Sequence, residues 1–499
     1  MSAQSGAGDR MHQANPCRSI SRLNWLVGAL LFVSAFLTYA MFSNANPGAN
    51  TKSRLALVLS IVEHGQLRID EFAVTTIDKA QVGGHYYSDK TPGMSLMAVP
   101  VAKLFTMLAA ASGHEPVWLD GAGRPSAAYK ILLYVVGIFT SALPTALAVA
   151  VLYRVALRVC DDADAALFAA LAFGFATPAW GWATTFLGHA ASGSIQFLAL
   201  AALLAAADKD GERRAFTLDL LAGALLGWSI VVEITAGPSA VMIALFRLVT
   251  ARRLAVRAGL ALALGGLAAI TPLLIYNGAA FGSPFKLGYG AVVGFGGMQQ
   301  GFFGVRLPSL QVIWEILFGW HRGLLWVAPI LVLTPLALWQ LMSQSRWRPL
   351  AILIIAIGAY YVLLNSSYFY WDGGDSTGPR HLTPILPFLC LPLCLLWRSI
   401  DRRVLVGLLA LSVATTLVCA AVTMTVDASI PRPLPDHLLP AFAAGDLAGM
   451  VLHRFGVLPG HAALVPLLLL WAALGAVGWQ MRGRERGVPP ATDQALPQV

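Results

Sequence analysis

Residues 50–93 read NTKSRLALVLSIVEHGQLRIDEFAVTTIDKAQVGGHYYSDKTPG and form the one long polar segment in the front half of an otherwise very apolar chain. Its ionisable and aromatic side chains include Asp70, Asp78, His85, Tyr86, Tyr87, Asp89 and Lys90. Apolar residues recur at helical spacing between residues 53 and 64, and Gly65 follows as a C-cap, which predicts a short amphipathic helix. A chemical site is expected here first.

The rest of the chain has the composition of a membrane protein. Of its 499 residues, 57% are hydrophobic and 12% are charged, whereas soluble domains have about 25% charged residues. Repeated apolar runs of about 20 residues match the thickness of the hydrocarbon core of a bilayer. We therefore predict an all-α polytopic membrane protein.

Twelve apolar segments are predicted to cross the bilayer. They are residues 23–43, 131–153, 165–183, 189–207, 217–236, 238–251, 257–280, 323–342, 349–365, 382–397, 404–425 and 462–480. With the N-terminus inside, short inside loops collect most of the basic residues, as cytoplasmic loops do. Residues 94–111 are also apolar, but a crossing there would turn every later arginine cluster outward, so we predict that they lie in the outer interface.

This topology divides the chain into three parts: a cytoplasmic N-terminal segment over 1–22, a transmembrane domain over 23–480 and a cytoplasmic tail over 481–499. The predicted external loops are 44–130, 281–322, 366–381 and 426–461. Because the short inside loops explain the net charge of +9, we predict no nucleic-acid partner.

Three further features could take part in a site. His189 lies at an outer corner between two predicted spans, and Glu233 lies near the outer end of the fifth span. The third is the aromatic and charged segment 368–381, with Trp371, Asp372, Asp375, Arg380 and His381. Each has a simpler interpretation: a packed histidine, an acid that reaches the interface, and an aromatic belt with snorkelling charges.

The layout resembles the GT-C membrane glycosyltransferases that use polyprenyl-phosphate sugars, in the protein O-mannosyltransferase and aminoarabinose-transferase branch. SIVEHGQLRID, residues 60–70, resembles the helix and glycine turn of that family's first external loop. Residues 88–93 resemble its acidic-Lys-Pro turn, and residues 94–111 its second juxtamembrane helix. Arg380-His381-Leu382-Thr383-Pro384 resembles its late Arg-aromatic-Leu-x-Pro pattern.

One position departs from the family. The family's Asp-Glu pair falls on Asn50-Thr51, and an asparagine cannot take a proton from a hydroxyl. The catalytic candidates are therefore Asp70, Asp78 and Asp89. The remaining site candidates are substrate-binding: Asn50, Arg54, His85, Tyr86, Tyr87, Lys90, His189, Glu233, Trp371, Asp372, Asp375, Arg380 and His381.

The resemblance implies a glycosyltransferase on the external face of a bacterial inner membrane. Lys90 and Arg380 would steady the lipid phosphate of a polyprenyl-phosphate sugar, and no nucleotide is needed. The acceptor could be a glycan, a lipid or a protein. The acidic loop would also suit a divalent cation, but no ligand set is defined. The alternatives are a transporter or flippase of a lipid-linked saccharide, and a membrane partner without activity.

Overall fold

The computed structural model describes residues 22–44, 48–207, 211–294 and 296–486. In this part of the chain nearly all regular structure is helical. The predicted N-terminal segment, apart from residue 22, lies outside the described residues, and so does the predicted tail beyond residue 486.

The first half of the chain contains eleven helices and one short hairpin. Their bounds are α1 Arg22–Ala40, α2 Ala49–His64, β1 Ala80–Val82, β2 His85–Tyr87, α3 Gly93–Ala111, α4 Ala127–Gly137, α5 Leu143–Cys160, α6 Ala163–Phe175, α7 Ala179–Ala183, α8 Gly188–Ala207, α9 Glu212–Val232, α10 Gly237–Ala251 and α11 Ala255–Phe281. A π-helical turn, Ile138–Ala142, joins α4 to α5.

Nine more helices follow, several of them short. They are α12 Leu310–Leu317, α13 Leu324–Val327, α14 Thr334–Ser343, α15 Arg348–Ser367, α16 Leu386–Cys390, α17 Arg402–Val422, α18 Leu439–Ala443, α19 Val451–Arg454 and α20 Val465–Arg486. Short 3₁₀ segments extend some of them, notably Arg380–Ile385 before α16 and Leu391–Arg398 after it.

Ten stretches of helix among the described residues are long and apolar enough to cross a membrane. The protein is therefore a multi-pass membrane protein. One of the ten, Ile234–Phe281, contains both α10 and α11. If these two helices are counted separately, the number becomes eleven. Two shorter apolar helices, Ala163–Phe175 and Pro329–Ser343, bring it to thirteen, and without α3 the twelve predicted spans remain. That α3 lies in the interface stays a prediction.

Glycines bring α9 and α11 into close contact. A Cβ on Gly223 would lie 2.3 Å from the carbonyl oxygen of Leu262, and a Cβ on Gly265 would lie 2.1 Å from that of Leu220. Backbones approach this closely only where side chains are absent, as in small-residue contacts between membrane helices. This contact fixes the position of α9, whose last residue precedes Glu233.

The polar segment of the sequence forms a compact unit between α1 and α4, residues 48–126 with α2 and α3, which we call the first loop segment. Its hairpin turns at Gly83 and Gly84, whose φ angles of 59° and 81° suit a tight two-residue turn. Ala80 pairs with Tyr87 and Val82 with His85. Ile69 N–H donates to the Tyr86 carbonyl at 2.8 Å and ties the hairpin to the chain after α2.

Helix α2 is confirmed, and it ends as predicted: Gly65 adopts φ 64° and its N–H bonds back to the last turn. Residues 53–60 are all buried, including Arg54, because α2 packs against α3, α4 and the rest of the first loop segment in a second apolar core. A Cβ on Gly93, at the start of α3, would lie 2.5 Å from the Val231 backbone, so α3 also packs directly on α9.

Candidate functional site

Four loops meet at the end of the bundle that holds the first loop segment. Val292 bridges to Ala80, Phe369 N–H donates to the Gly304 carbonyl, and Ser376 N–H donates to the Val426 carbonyl. These contacts join the first loop segment to the loop after α11, the segment after α15 and the loop after α17. The predicted external loops therefore lie together.

Lys90 is held by two carboxylates. Its Nζ lies 2.7 Å from Asp89 Oδ2 and 3.0 Å from Asp78 Oδ2, and all three side chains are at most 13% exposed. Burial, with the nearby charge of Asp78, raises the pKa of Asp89 despite the ammonium. Burial alone would lower the pKa of Lys90, but the two carboxylates hold it above its ordinary value. Lys90 therefore stays protonated.

Neighbouring elements fix this cluster in place. Ser53 on α2 donates to Asp89 Oδ1 at 3.2 Å. Tyr276 near the end of α11 donates to the Ser88 carbonyl at 2.9 Å. Gly288 lets the next loop approach closely, since a Cβ there would lie 3.0 Å from the Asp89 backbone. The ring of Tyr289 is then 5.9 Å from Lys90 Nζ.

A buried ion pair lies beside the lysine cluster. Arg54 NH2 is 2.7 Å from Glu233 Oε1, with the two side chains 1% and 9% exposed. Arg54 Nε donates to Asn50 Oδ1 at 2.9 Å, which uses the oxygen of that amide. Glu233 rests on the start of α8, where a Cβ on Gly188 would lie 2.4 Å from its Oε1. The pair therefore joins α2, α8 and α9.

Arg380 lies in the segment that follows α15. Its Nε is buried and has no hydrogen-bond partner among the described residues. A Cβ on Gly373, which has a φ of 73°, would lie 2.8 Å from that Nε, so only glycine leaves room for the guanidinium there. Arg322 holds the same loop, because its guanidinium donates to the carbonyls of Asp372 at 3.0 Å and Gly374 at 2.8 Å.

Two histidines and a tyrosine form an aromatic group next to Arg380. The His381 ring centroid is 5.2 Å from that of His189 and 5.7 Å from that of Tyr368, both edge-on. His189 lies in the first turn of α8, so this group also joins the early and late halves of the chain.

Lys90 and Arg380 have charged and aromatic neighbours in common. Burial raises the pKa of Tyr368, and the charges of Lys90 and Arg380 both oppose that rise. His189 is within electrostatic range of Arg380, Arg54 and Lys90. Asp78, which contacts Lys90, is also within electrostatic range of Arg380. The structure thus brings together Asn50, Arg54, Asp78, Asp89, Lys90, His189, Glu233, Arg380 and His381.

Other predicted site residues lie elsewhere in the first loop segment. Asp70 bonds His85 Nδ1 at 2.8 Å, and both side chains are about 40% exposed. Burial would raise the pKa of Asp70, but the hydrogen bonds from the Tyr86 N–H and from His85 lower it below its ordinary value. Tyr86 lies under Lys79 Nζ at 4.6 Å, and Tyr87 packs edge-on against Phe281.

Three predicted site residues lie in the loop that carries Arg380 and make contacts within it or with its neighbours. Asp372 Oδ1 accepts from Gly374 N–H at 3.1 Å, and exposed Asp375 accepts from Ala428 N–H at 3.3 Å. Trp371 packs edge-on against His321. They shape the loop rather than pair with Lys90.

Sequence reasoning missed Tyr289 and Arg322, which lie beside these residues. Tyr289 comes from a glycine-rich loop with no periodicity to place it, and Arg322 looked like an ordinary charge before a predicted span. Burial raises the pKa of Tyr289, against the effect of Lys90. Burial lowers the pKa of Arg322 to about 10.

A divalent cation does not fit the carboxylates without a rearrangement. Asp78 and Asp89 already share the Lys90 ammonium, and Glu233 is paired with Arg54. In the described ranges no three His, Cys, Asp or Glu side chains are grouped as metal ligands would be. No step below is assigned to a metal ion.

The fold matches that of solved membrane proteins. Crystal structures of ArnT from Cupriavidus metallidurans, in the apo state and bound to undecaprenyl phosphate, both superpose with a TM-score of 0.50 at 17% identity. The match to the apo form covers 92% of this chain and 74% of the ArnT chain. The match to the bound form covers 93% of this chain and 75% of the ArnT chain. This protein has the GT-C fold. The expected fold is thus confirmed.

An oligosaccharyltransferase from Archaeoglobus fulgidus superposes less well, with a TM-score of 0.43 at 13% identity over 85% of this chain and 56% of that chain. No protein-family model and no curated protein sequence matches this chain.

Proposed function

We propose that this protein is a membrane glycosyltransferase. It transfers a sugar from a polyprenyl-phosphate donor to an acceptor on the external face of a bacterial inner membrane, with both termini in the cytoplasm. The acceptor is a glycan, a lipid or a protein. The four loops that meet around Lys90 form the external end of the bundle.

One observation carries the proposal: a guanidinium with an unpartnered Nε and a buried ammonium both act on the same tyrosine. Arg380 has a buried Nε with no partner among the described residues, and its charge acts on the same Tyr368 as that of Lys90. A phosphate supplies acceptors for both cations, with arginine binding it as a fork and lysine as a point charge. The ArnT structure with bound undecaprenyl phosphate supports a polyprenyl phosphate as this ligand.

The site suits departure of the lipid phosphate. When the bond between the sugar C1 and the phosphate oxygen breaks, negative charge grows on the phosphate. Preorganised cations stabilise such charge without reorganisation. Asp78 and Asp89 orient Lys90, because both contact its ammonium. The acceptor oxygen attacks C1 from the opposite side, so the configuration at C1 is inverted.

The test uses the purified protein in lipid nanodiscs with decaprenyl phosphates that carry labelled hexoses, pentoses or amino sugars, and with cell-envelope extract as the source of acceptor. Consumption of a donor with release of decaprenyl phosphate is the expected result. If no member of the panel is consumed, the proposal fails.

Two substitutions test the cations. Lys90→Ala and Arg380→Ala should each lower the rate of transfer at least about 100-fold, as loss of one charge-stabilising donor does. Lys103→Ala and Arg306→Ala are matched controls, because both side chains are exposed; they should keep the wild-type rate. Equal effects in the two sets would contradict the assigned roles.

The alternative of a flippase is separated in proteoliposomes. A flippase moves the labelled donor between leaflets without breaking the sugar–phosphate bond, whereas the transferase releases the lipid phosphate. Movement without cleavage would favour the flippase.

A further inference from the structure

The site lacks a carboxylate that is free to accept a proton. Asn50 is an amide whose oxygen accepts from Arg54. Glu233 is paired with Arg54, and Asp78 and Asp89 are paired with Lys90, at distances of 2.7–3.0 Å. Taking up a proton would cost each of these carboxylates its ion pair with the cation. A hydroxyl acceptor nevertheless has to lose its proton during transfer.

His381 has the arrangement that a general base needs. Its ring bonds to the backbone of Tyr370, while its Nε2 is buried and has no hydrogen-bond partner among the described residues. The bonded nitrogen is therefore Nδ1. An N–H at Nδ1 that donates to a backbone carbonyl fixes the tautomer, which leaves the lone pair on Nε2. A buried acceptor without a donor is unfavourable and would gain from a hydroxyl.

The surroundings of His381 fit this role. Arg380, the phosphate-binding candidate, is its neighbour in the chain, and the rings of His189 and Tyr368 contact it edge-on. Arg54 and Lys90 are within electrostatic range of His189. His381 therefore lies among the groups that would hold the donor phosphate.

We propose that His381 is the general base of the transfer, in place of a carboxylate. This assignment rests on the proposed function. The acceptor O–H bond breaks and its proton moves to His381 Nε2. The acceptor oxygen forms a bond to C1 of the sugar, and the bond from C1 to the phosphate oxygen breaks with its electron pair on the lipid phosphate. The imidazolium charge balances the charge gained by the phosphate, and the proton passes to water after the products leave.

His381→Gln tests the base, with the donor that the wild-type protein consumes. The variant should lower kcat about 10²–10⁴-fold, the usual contribution of a general base, with little change in KM for the donor. Sodium azide should restore turnover and give the glycosyl azide, because azide is already an anion and needs no deprotonation. A residue with only a structural role would not be rescued by azide.

Three controls accompany this test. Lys90→Ala should not be rescued, since azide cannot replace a phosphate-binding cation. His461→Gln, whose side chain bonds the Phe442 carbonyl far along the chain, should keep the wild-type rate. Unchanged thermal stability of the His381→Gln protein would show that it is folded.

The outcomes separate the two proposals. If the wild-type protein consumes no donor, the proposed function fails. If it is active and His381→Gln keeps its rate, or loses it without azide rescue, only the base assignment is overturned. Rescue of Asp78→Asn or His189→Gln, but not of His381→Gln, would move the base to that residue.

Discussion

At the scale of single residues, the site is built from charges that are paired unequally. Lys90 has two carboxylates and Arg54 has one, whereas Arg380 retains an unpartnered Nε in the described structure. Burying a charged donor group without an acceptor is costly. An arginine that keeps such a position is therefore suited to a ligand that brings its own negative charge.

The Arg54–Glu233 pair should be essential for stability. Arg54→Met leaves Glu233 buried without its cation, and removal of one partner from a buried pair costs about 3–5 kcal/mol. Thermal unfolding in detergent would measure the loss. The double variant Arg54→Met/Glu233→Gln should lose less than the sum of the two single variants.

An exposed pair provides the control. Arg124 and Asp120 form an ion pair at 2.8 Å, but their side chains are 78% and 40% exposed. Arg124→Ala should leave the unfolding temperature nearly unchanged. A similar loss at both pairs would mean that burial does not set the energy of the Arg54–Glu233 pair.

At the scale of elements, the contact between α9 and α11 determines where Glu233 lies. Gly265→Val would place atoms against the Leu220 carbonyl and force the helices apart. We expect a lower unfolding temperature and lower transfer activity together, because α9 leads directly to the ion pair. Activity and thermal stability should be measured on the same preparation.

A glycine on another membrane helix is the matched control. A Cβ on Gly407 in α17 would meet no atom within 4 Å. Gly407→Ala should be neutral or stabilising by up to about 1 kcal/mol, since alanine is the better helix former. Loss of stability at Gly407 would show that glycine content, rather than close packing, explains the first result.

Much of this architecture could be predicted from the sequence, and the reasons differ by feature. The spans follow from apolar runs of bilayer length, and the end of α2 follows from Gly65. The burial of α2 could not be predicted, because the partner of Arg54 is 179 residues away in the chain. The place of Tyr289 depends on a loop whose path is set by contacts with Asp89 and Phe369.

At the scale of the whole molecule, the distribution of basic residues predicts which end faces the cytoplasm. In a cysteine-free background, Ser112→Cys should react with a membrane-impermeant maleimide from outside intact spheroplasts. Arg346→Cys should react only after the membrane is opened. The reverse pattern would invert the topology and place the site on the cytoplasmic face.

The Arg54–Glu233 pair also constrains biogenesis. Residues 49–64 reach the membrane long before Glu233 is synthesised, 179 residues later. At about 5–20 residues per second, that delay is roughly 10–35 s. During that delay Arg54 has no carboxylate to pair with. Its helix therefore stays in the headgroup region, where water solvates the guanidinium. The nascent protein therefore forms this ion pair only after the fifth span has left the ribosome.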